Sequence, residues 1–208
     1  MKKDDGAIAV GITGGIGCGK SEVGRILIEQ GISVLDTDTV AHQMVEPGKT
    51  CYRQIIDHFG QDLLKENGTI DRDRLGKKVF SNPSQREVLN QIIHPNVKRY
   101  YRKWVQDRLK EQEMAAVIVP LLYEINETLL WNAVICVSSP FDVVIARLKK
   151  RGFNEHAIQQ RVEAQWPLSK KEERADYIIM NDATLDDLKT KTKKVVFDLL
   201  KKEKRNHV

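Results

Sequence analysis

The sequence predicts an α/β fold in which helices sandwich a parallel sheet and a helical segment is inserted into the core. Three observations predict this class. Short apolar runs alternate with amphipathic helical stretches, a glycine-rich turn follows the first apolar run, and the middle third of the chain has helical periodicity. The 208 residues, 41% of them hydrophobic and 30% charged, can bury a sizeable core, and they exclude an intrinsically disordered chain.

The first elements follow the order strand, loop, helix, strand. The apolar run 7–13 is long enough for a buried strand. A helical stretch with Val23 and Leu27 on one face comes next and ends at Gly31, and residues 32–35 form a second apolar run. This order is the beginning of a parallel sheet, whose strands are joined by crossover helices.

The middle of the chain differs in character from the parts that flank it. After Pro47 the apolar residues recur at i, i+3, i+4 and i+7 through several stretches. The pair His94–Pro95 separates two of these stretches, and we expect the proline to begin the second helix. The predicted boundaries are residues 1–46 and 115–208 for the core and residues 47–114 for the insertion.

Strand signals return after the insertion. Apolar runs at 116–119, 132–137 and 176–180 predict three further strands. Ser139 has the features of a helix N-cap, with Pro140 at the first helical position. A final amphipathic helix follows the last strand, and its acidic first turn and basic last turn complement the helix dipole.

The net charge of +5 is concentrated at one end of the chain. From Lys189 onward eight basic residues stand against two acidic ones, whereas residues 1–188 carry a net charge of −1. This distribution favours a solvated helix end over a nucleic-acid surface. The apolar runs are too short to span a membrane, and three cysteines without a CxxC pair argue against disulfides or a zinc cluster. We therefore expect a cytoplasmic protein with no membrane and no nucleic-acid partner.

The motif Gly-x-x-x-x-Gly-Lys-Ser at residues 14–21 lies between the first strand and the first helix, where a phosphate-binding loop must lie. Its backbone N–H groups would surround a β-phosphate, Lys20 would bridge the β- and γ-phosphates, and Ser21 would ligate Mg²⁺. Because five glycines within nine residues lose much conformational entropy on folding, an ordinary turn is a poor explanation. The residues predicted to hold a nucleoside triphosphate are Gly15, Ile16, Gly17, Cys18, Gly19, Lys20, Ser21 and Glu22.

The residues after the second strand indicate which reaction the triphosphate serves. The Asn-Lys-x-Asp motif of GTPases is absent, and no aspartate lies directly on the strand before Pro120. Instead Asp36 and Asp38 follow the second strand, so we expect them at the carboxyl edge of the sheet, near the phosphate-binding loop. A carboxylate there could orient and deprotonate an acceptor hydroxyl while Mg²⁺ neutralises the γ-phosphate. Capping of a helix over residues 39–45 is the alternative role for one of the two acids.

Several segments together resemble one known family, the dephospho-coenzyme A kinases, and the resemblance extends from residue 8 to about residue 190. It implies a P-loop NTPase-type fold, ATP and Mg²⁺ as cofactors, and phosphorylation of the ribose 3′-hydroxyl of dephospho-coenzyme A, the last step of coenzyme A biosynthesis. It also implies that the insertion binds the acceptor and that residues 147–172 form a helical lid. The segments are residues 11–21, Asp36–Thr37–Asp38 with Ala41–His42, residues 58–60, His94–Pro95, residues 120–124, the stretch from Gln165 through Ala175–Asp176, and Asn181.

The resemblance assigns roles to individual residues. The second acid of the family's Asp-x-Asp motif is its catalytic base, which corresponds to Asp38. Lid arginines are expected to close over the phosphates beside Lys20. The candidates are Arg147, Arg151 and Arg161, and Arg151 is the first choice because it opens a turn with Gly152. The further expected contacts are Arg147 and Asn181 for the nucleotide, and Asp36, His94, Leu121, Tyr123 and Arg161 for the acceptor.

Alternatives stay open for some of these residues. His94 could equally be a helix-boundary residue, and Asn181 a turn asparagine. Cys18 stands where the family has serine or alanine. At a helix N-terminus its thiol could have a lowered pKa and be redox-sensitive, or it could fill a small space. The rival functions are another small-molecule kinase and a nucleotide-dependent nucleic-acid-binding module, and the expected assembly is a monomer or weak homo-oligomer.

Overall fold

The computed structural model describes residues 7–80 and 82–206. The chain divides into two compact units, a sheet unit formed by Met1–Asp36 with Val105–Val208, and a helical unit formed by Thr37–Trp104. This division does not show which residues bind an acceptor, so the assignment of residues 47–114 to acceptor binding stays a prediction.

The strands of the sheet unit are β1 (Ile8–Gly14), β2 (Ser33–Asp36), β3 (Met114–Ile118), β4 (Ala133–Ser138) and β5 (Tyr177–Met180). All described pairings are parallel, and the order in the sheet is β2-β3-β1-β4-β5. Every residue of β1, β3 and β4 is buried. Parallel strands covered on both faces have continuous apolar runs rather than alternating ones, which is the pattern of this sequence. The predicted parallel α/β sheet is therefore confirmed.

Helices flank this sheet and supply much of its core. Val23 and Leu27 of the first helix, Leu148 of a later one and Leu188 and Leu199 of the last are buried against the strands. The predicted apolar face of the last helix is thus confirmed. The helices are α1 (Lys20–Glu29), α2 (Thr37–Met44), α3 (Thr50–Phe59), α4 (Arg72–Phe80), α5 (Pro83–Arg108), α6 (Phe141–Lys150), α7 (Glu155–Glu163), α8 (Leu168–Glu172) and α9 (Leu185–Asn206), with a 3-10 turn at Gln61–Leu63.

The predicted helix boundary at His94–Pro95 is wrong, because α5 runs unbroken for 26 residues with Pro95 inside it. A proline in a helix removes one backbone hydrogen bond and crowds the preceding turn. The side-chain amide of Asn96 donates to the carbonyl of Ile92, at 2.8 Å, and so satisfies one acceptor of the disturbed turn. Apolar residues of α5, among them Leu89 and Ile93, pack on the core of the helical unit. Packing therefore overrides the local preference of the proline.

The helical unit has a small apolar core of its own. Its buried residues are Cys51, Ile55, Phe59, Leu63, Ile70, Leu75 and Val79. An isolated antiparallel bridge joins Leu64 and Ile70, and the side chain of Tyr52 donates to the carbonyl of Gly68 at 2.6 Å. Among the residues that the structure describes, no helix is long and apolar enough to cross a membrane.

Candidate active site

The turn between β1 and α1 is shaped by glycines that no other residue can replace without strain. Gly14 has φ of 140° and Gly19 has φ of 100°, values that L-residues rarely adopt. A Cβ on Gly14 would lie 2.1 Å from the carbonyl oxygen of Val137, and one on Gly19 would lie 2.2 Å from the side-chain nitrogen of Asn181. The backbone of residues 14–19 is therefore packed closely against β4 and the end of β5.

The loop leads directly into the N-terminus of α1, which begins at Lys20. The first N–H groups of a helix have no acceptor within the helix, and they carry the positive end of its dipole. The ammonium of Lys20 lies across the loop and donates to the carbonyls of Gly14 and Gly15, at 3.0 and 2.9 Å. The hydroxyl-bearing Ser21 is exposed. Main-chain amides, an ammonium group and an exposed hydroxyl are thus assembled at one place, which suits the oxygens of a phosphate chain.

The guanidinium group of Arg147 and the side-chain amide of Asn181 support the glycine loop through hydrogen bonds to its carbonyl groups. Arg147 of α6 donates to the carbonyl of Gly17 (3.3 Å), to Oγ of Ser139 (3.0 Å) and to both oxygens of Asn181 (3.1 Å). The side-chain nitrogen of Asn181 donates to the carbonyl of Cys18, at 2.8 Å. Because a trans peptide directs its C=O and N–H to opposite sides, this bond directs the N–H of Gly19 away from Asn181.

The suggestion that the thiol of Cys18 has a lowered pKa is wrong. Cys18 is 1% exposed, and burial raises its pKa more than the neighbouring Lys20 and Arg147 lower it. The sulfur packs near Gly15, where an added Cβ would come within 3.0 Å of it. Cys18 therefore fills a small space in the loop, as the simpler of the two expectations held.

Asp36 is the last residue of β2 and pairs in register with Ile118 of β3. It therefore lies at the carboxyl edge of the sheet, where β1 also ends in the glycine loop. The expectation of a helix over residues 39–45 needs correction, because α2 already begins at Thr37 and includes Asp38 in its first turn. An acidic side chain is favourable there because it faces the positive end of the helix dipole. Thr37 is buried, whereas Asp38 is exposed to solvent.

The three arginines expected in the lid have different surroundings. Arg147 is bound to the glycine loop, as described above. Arg161 of α7 donates to the carbonyl of Ala157 at 3.0 Å, and its guanidinium lies 4.4 Å from the ring centre of Phe153. Arg151, at the C-cap of α6, is exposed. Of the three, Arg151 has the side chain that solvent reaches most freely.

The loop after β3 holds the two residues expected near the acceptor, Leu121 and Tyr123. Leu121 is half-buried, whereas Tyr123 is 5% exposed and stacks on Trp166 with ring centres 6.2 Å apart. The hydroxyl of Tyr123 has no hydrogen-bond partner among the described residues, and burial raises its pKa to about 12. Tyr123 therefore contributes mainly to packing in this structure.

His94 lies on α5 in the helical unit, where it is half-buried. Burial lowers the pKa of its imidazole, and Glu87 opposes this effect. Its neutral form is therefore favoured at neutral pH. No cluster of three His, Cys, Asp or Glu side chains that could hold a metal ion occurs among residues 7–80 and 82–206.

Some residues at the loop were missed or misread from sequence. Ser139 is not the N-cap of α6, because Pro140 takes that position and Oγ of Ser139 instead donates to the carbonyl of Asn181, at 2.7 Å. The side-chain oxygen of Gln165 accepts a hydrogen bond from the N–H of Ile16, at 3.1 Å. The only sequence signal for Gln165 was its place among the segments that resemble the family.

Comparison with known proteins gives a consistent result. A family model described as dephospho-CoA kinase matches residues 8–187. A dephospho-CoA kinase of Bacillus cereus is 39% identical over 185 residues, which cover 88% of this chain and 92% of the relative. A solved structure from Thermus thermophilus, TT1252, has 30% identity and a TM-score of 0.78, and the match covers 93% of this chain and 98% of that one.

A solved dephospho-CoA kinase from Campylobacter jejuni has 26% identity and a TM-score of 0.64, with 92% of this chain and 97% of that chain covered. The similarity therefore extends over both the sheet unit and the helical unit. The chain belongs to the dephospho-CoA kinase family, whose members are kinases that transfer phosphate from ATP in the last step of coenzyme A biosynthesis.

Proposed function

We propose that this protein phosphorylates the ribose 3′-hydroxyl of dephospho-coenzyme A with ATP, giving coenzyme A and ADP. The observation that carries the proposal is the braced glycine loop, whose carbonyls are bound from behind by Arg147 and Asn181 at the N-terminus of α1. Family membership identifies the acceptor class. We further propose that the protein acts in the cytoplasm, as a monomer or weak homo-oligomer.

The donor triphosphate would be held by the loop and the first turn of α1. The N–H of Ile16 is already bound by Gln165 and that of Cys18 by the carbonyl of Gly15, at 3.3 Å. The phosphate contacts are therefore expected from the remaining amides of residues 15–21, with Lys20 moving from the loop carbonyls to the β- and γ-phosphates. The exposed hydroxyl of Ser21 fits Mg²⁺, which prefers oxygen ligands, and the ion would supply neutralisation of charge on the γ-phosphate.

Asp38 is proposed as the general base for the acceptor hydroxyl. An exposed carboxylate can take or orient the hydroxyl proton, and Asp36 at the end of β2 would help to orient the same sugar. The expected contacts of the rest of the acceptor are His94 of the helical unit and Leu121 and Tyr123 of the sheet unit. These assignments come from the family's motifs and are tested by substitution.

The transferred phosphoryl group would be stabilised by Arg151 and Arg161 of the lid. Charge spreads over the phosphoryl oxygens in the transition state, and a nearby guanidinium lowers its energy. Closure of the lid would also exclude water, which otherwise competes with the sugar as acceptor and hydrolyses ATP. The side chain of Arg151 is exposed, so it can turn toward bound phosphates without leaving a buried site.

An acceptor panel tests this function directly. The protein is incubated with ATP, Mg²⁺ and dephospho-coenzyme A, coenzyme A, a nucleoside monophosphate or a small alcohol, and the release of ADP is followed. We expect ADP release only with dephospho-coenzyme A. Coenzyme A is the matched control, because its 3′-hydroxyl already carries the phosphate. Faster release with the monophosphate or the small alcohol would assign the chain to another kinase reaction.

A further inference from the structure

Residues 165–171, between α7 and the end of α8, contact both the glycine loop and the loop that follows β3. We call these residues the anchor segment. They lie within the stretch 147–172 that the family resemblance assigns to a mobile lid. Three of their side chains or amides make bonds to distant parts of the sheet unit, and these bonds decide which part of the lid can move.

The first contact is the hydrogen bond from the N–H of Ile16 to Oε1 of Gln165, at 3.1 Å. Ile16 is in the glycine loop, between Gly15 and Gly17. The glutamine side chain is half-buried, so water competes only partly with this bond. One amide of the loop is therefore fixed by a side chain from the lid rather than by the loop itself.

The second contact is a buried ion pair at the other end of the anchor segment. Lys171 is 0% exposed, and its ammonium lies 2.7 Å from the carboxylate of Glu124 and 2.8 Å from the carbonyl of Pro120. The same carbonyl accepts a hydrogen bond from Oγ1 of Thr13, next to the glycine loop, at 3.2 Å. A buried ammonium that left these partners would be uncompensated, so Lys171 holds the segment in place.

The third contact is made by Trp166, which directly follows Gln165. The backbone N–H of Trp166 donates to Oε1 of Glu124, at 2.9 Å, and its indole ring stacks on the ring of Tyr123 with the ring centres 6.2 Å apart. The ammonium of Lys170 lies 3.9 Å from the centre of the same ring. The backbone next to Gln165 is therefore fixed, and its side chain has little freedom to leave Ile16.

We propose that Gln165 is a positioning residue for the donor phosphates, which it serves by fixing the Ile16 amide, and that the moving part of the lid ends at this residue. The inference rests on the proposed use of the glycine loop for ATP. Gln165 does not touch the phosphates. It keeps one side of the loop in the conformation that directs the other amides to them, and the bond persists when nucleotide binds.

The variant Gln165→Met tests this role, because it keeps the length of the side chain and removes the acceptor. Loss of one partly buried hydrogen bond changes an equilibrium constant by roughly three- to tenfold. We therefore expect the affinity for ATP to fall by this factor and hydrogen exchange at the Ile16 amide to accelerate by the same factor. The KM for dephospho-coenzyme A should not change, and the melting temperature should fall by only about 2–4 °C, the shift expected from one lost hydrogen bond in a chain of this size. Gln159→Met is the matched control, since Gln159 is exposed on α7 and its side chain donates to Glu163 of the same helix.

Unchanged ATP affinity with a still-protected Ile16 amide would overturn the proposal. Tighter ATP binding would also overturn it, because Gln165 would then compete with the phosphates. The double variant Glu124→Gln with Lys171→Met removes the ion pair without leaving a lone charge. It should reproduce the faster exchange at Ile16, and normal exchange there would contradict the anchoring role. ATP affinity and amide exchange are measured without acceptor, so failure of the proposed reaction would be seen separately.

Discussion

Arg147 and Arg151 lie one helical turn apart, but their guanidinium groups have different surroundings. The first is bound to Gly17, Ser139 and Asn181 and braces the glycine loop. The second lies at the C-cap of α6 and is exposed. Both lie in the stretch that the family resemblance assigns to the lid. Only the structure distinguishes the arginine that supports the loop from the one that is free of the loop and can contact a ligand.

The same contrast recurs at two neighbouring lysines. Lys171 is fully buried against Glu124, whereas Lys170 is exposed beside Trp166. Charges that are bound in the interior fix the geometry of the loops around them. Charges at the surface can interact with substrates. Substitution of a buried charge should therefore reduce stability or nucleotide affinity, and substitution of an exposed charge that contacts a substrate should reduce turnover alone.

The largest effect is expected for Lys171→Ala, because it leaves the carboxylate of Glu124 without its buried cation. Removing one partner of a buried ion pair costs about 3–5 kcal/mol, and we expect the free energy of unfolding in urea to fall by this amount. The control Lys170→Ala removes an exposed cation from the ring of Trp166 and should cost less than about 1 kcal/mol. Equal losses in the two variants would contradict the distinction between buried and exposed charge.

Asp38→Asn tests the exposed charged residues, among which Asp38 is the proposed general base. The amide has the size of the carboxylate but cannot accept the hydroxyl proton. We expect turnover to fall by about 10² or more, equivalent to roughly 2.7 kcal/mol of activation free energy. The affinity for ATP and the free energy of unfolding should stay close to those of the parent protein. The matched control is Asp57→Asn, which changes an exposed acid of α3.

Near-normal turnover of the Asp38 variant would remove this residue from the role of base. A loss of turnover with an equal loss in the Asp57 control would instead point to a general effect of charge on the helical unit. Steady-state rates at saturating ATP and dephospho-coenzyme A, together with an ADP titration, separate these outcomes.

The parts of the fold that could be predicted from sequence are those that local pattern encodes. Continuous apolar runs indicated β1, β3 and β4, since strands buried on both faces need apolar residues throughout. The glycine loop was recognisable because its backbone conformation needs glycine at fixed spacing. At Pro95 the local rule gave the wrong boundary, because the apolar face of α5 packs on its neighbours and keeps the helix intact.

The support behind the loop could not be predicted, because it joins residues that are distant in sequence. Gln165 and Ile16 are 149 positions apart, and Arg147 and Gly17 are 130 apart. Contacts between residues so far apart leave no periodic pattern in the sequence. A buried lysine is also rare, so the expectation for Lys171 from its type alone is exposure. These contacts depend on the assembled sheet, and they became visible only in the structure.

Arg147→Met sharpens the comparison between the two arginines. It removes hydrogen bonds of a charged donor to the loop, so we expect the affinity for ATP to fall about tenfold and the free energy of unfolding to fall by about 2 kcal/mol. The contrasting variant Arg151→Met should lower turnover about tenfold while stability is unchanged, because its side chain acts on charge that develops in the transition state. Isothermal titration, urea unfolding and steady-state kinetics on both variants check the pattern. The reverse pattern would contradict the assigned roles.

His94, which is half-buried, is the intermediate case and should show the smallest effect. Burial lowers the pKa of its imidazole in the folded state. Below pH of about 6.5, the ordinary histidine pKa, the unfolded chain therefore binds more protons than the folded one. The free energy of unfolding should fall as the pH drops through this value and level off once the pH is below the folded-state pKa. Urea unfolding between pH 7.5 and 5 should show a weaker pH dependence in His94→Gln, since the two proteins differ at this histidine alone. Identical pH profiles in the two proteins would contradict this prediction, because they would show that His94 behaves as a surface residue. Charged groups would then fall into two classes only, buried and exposed.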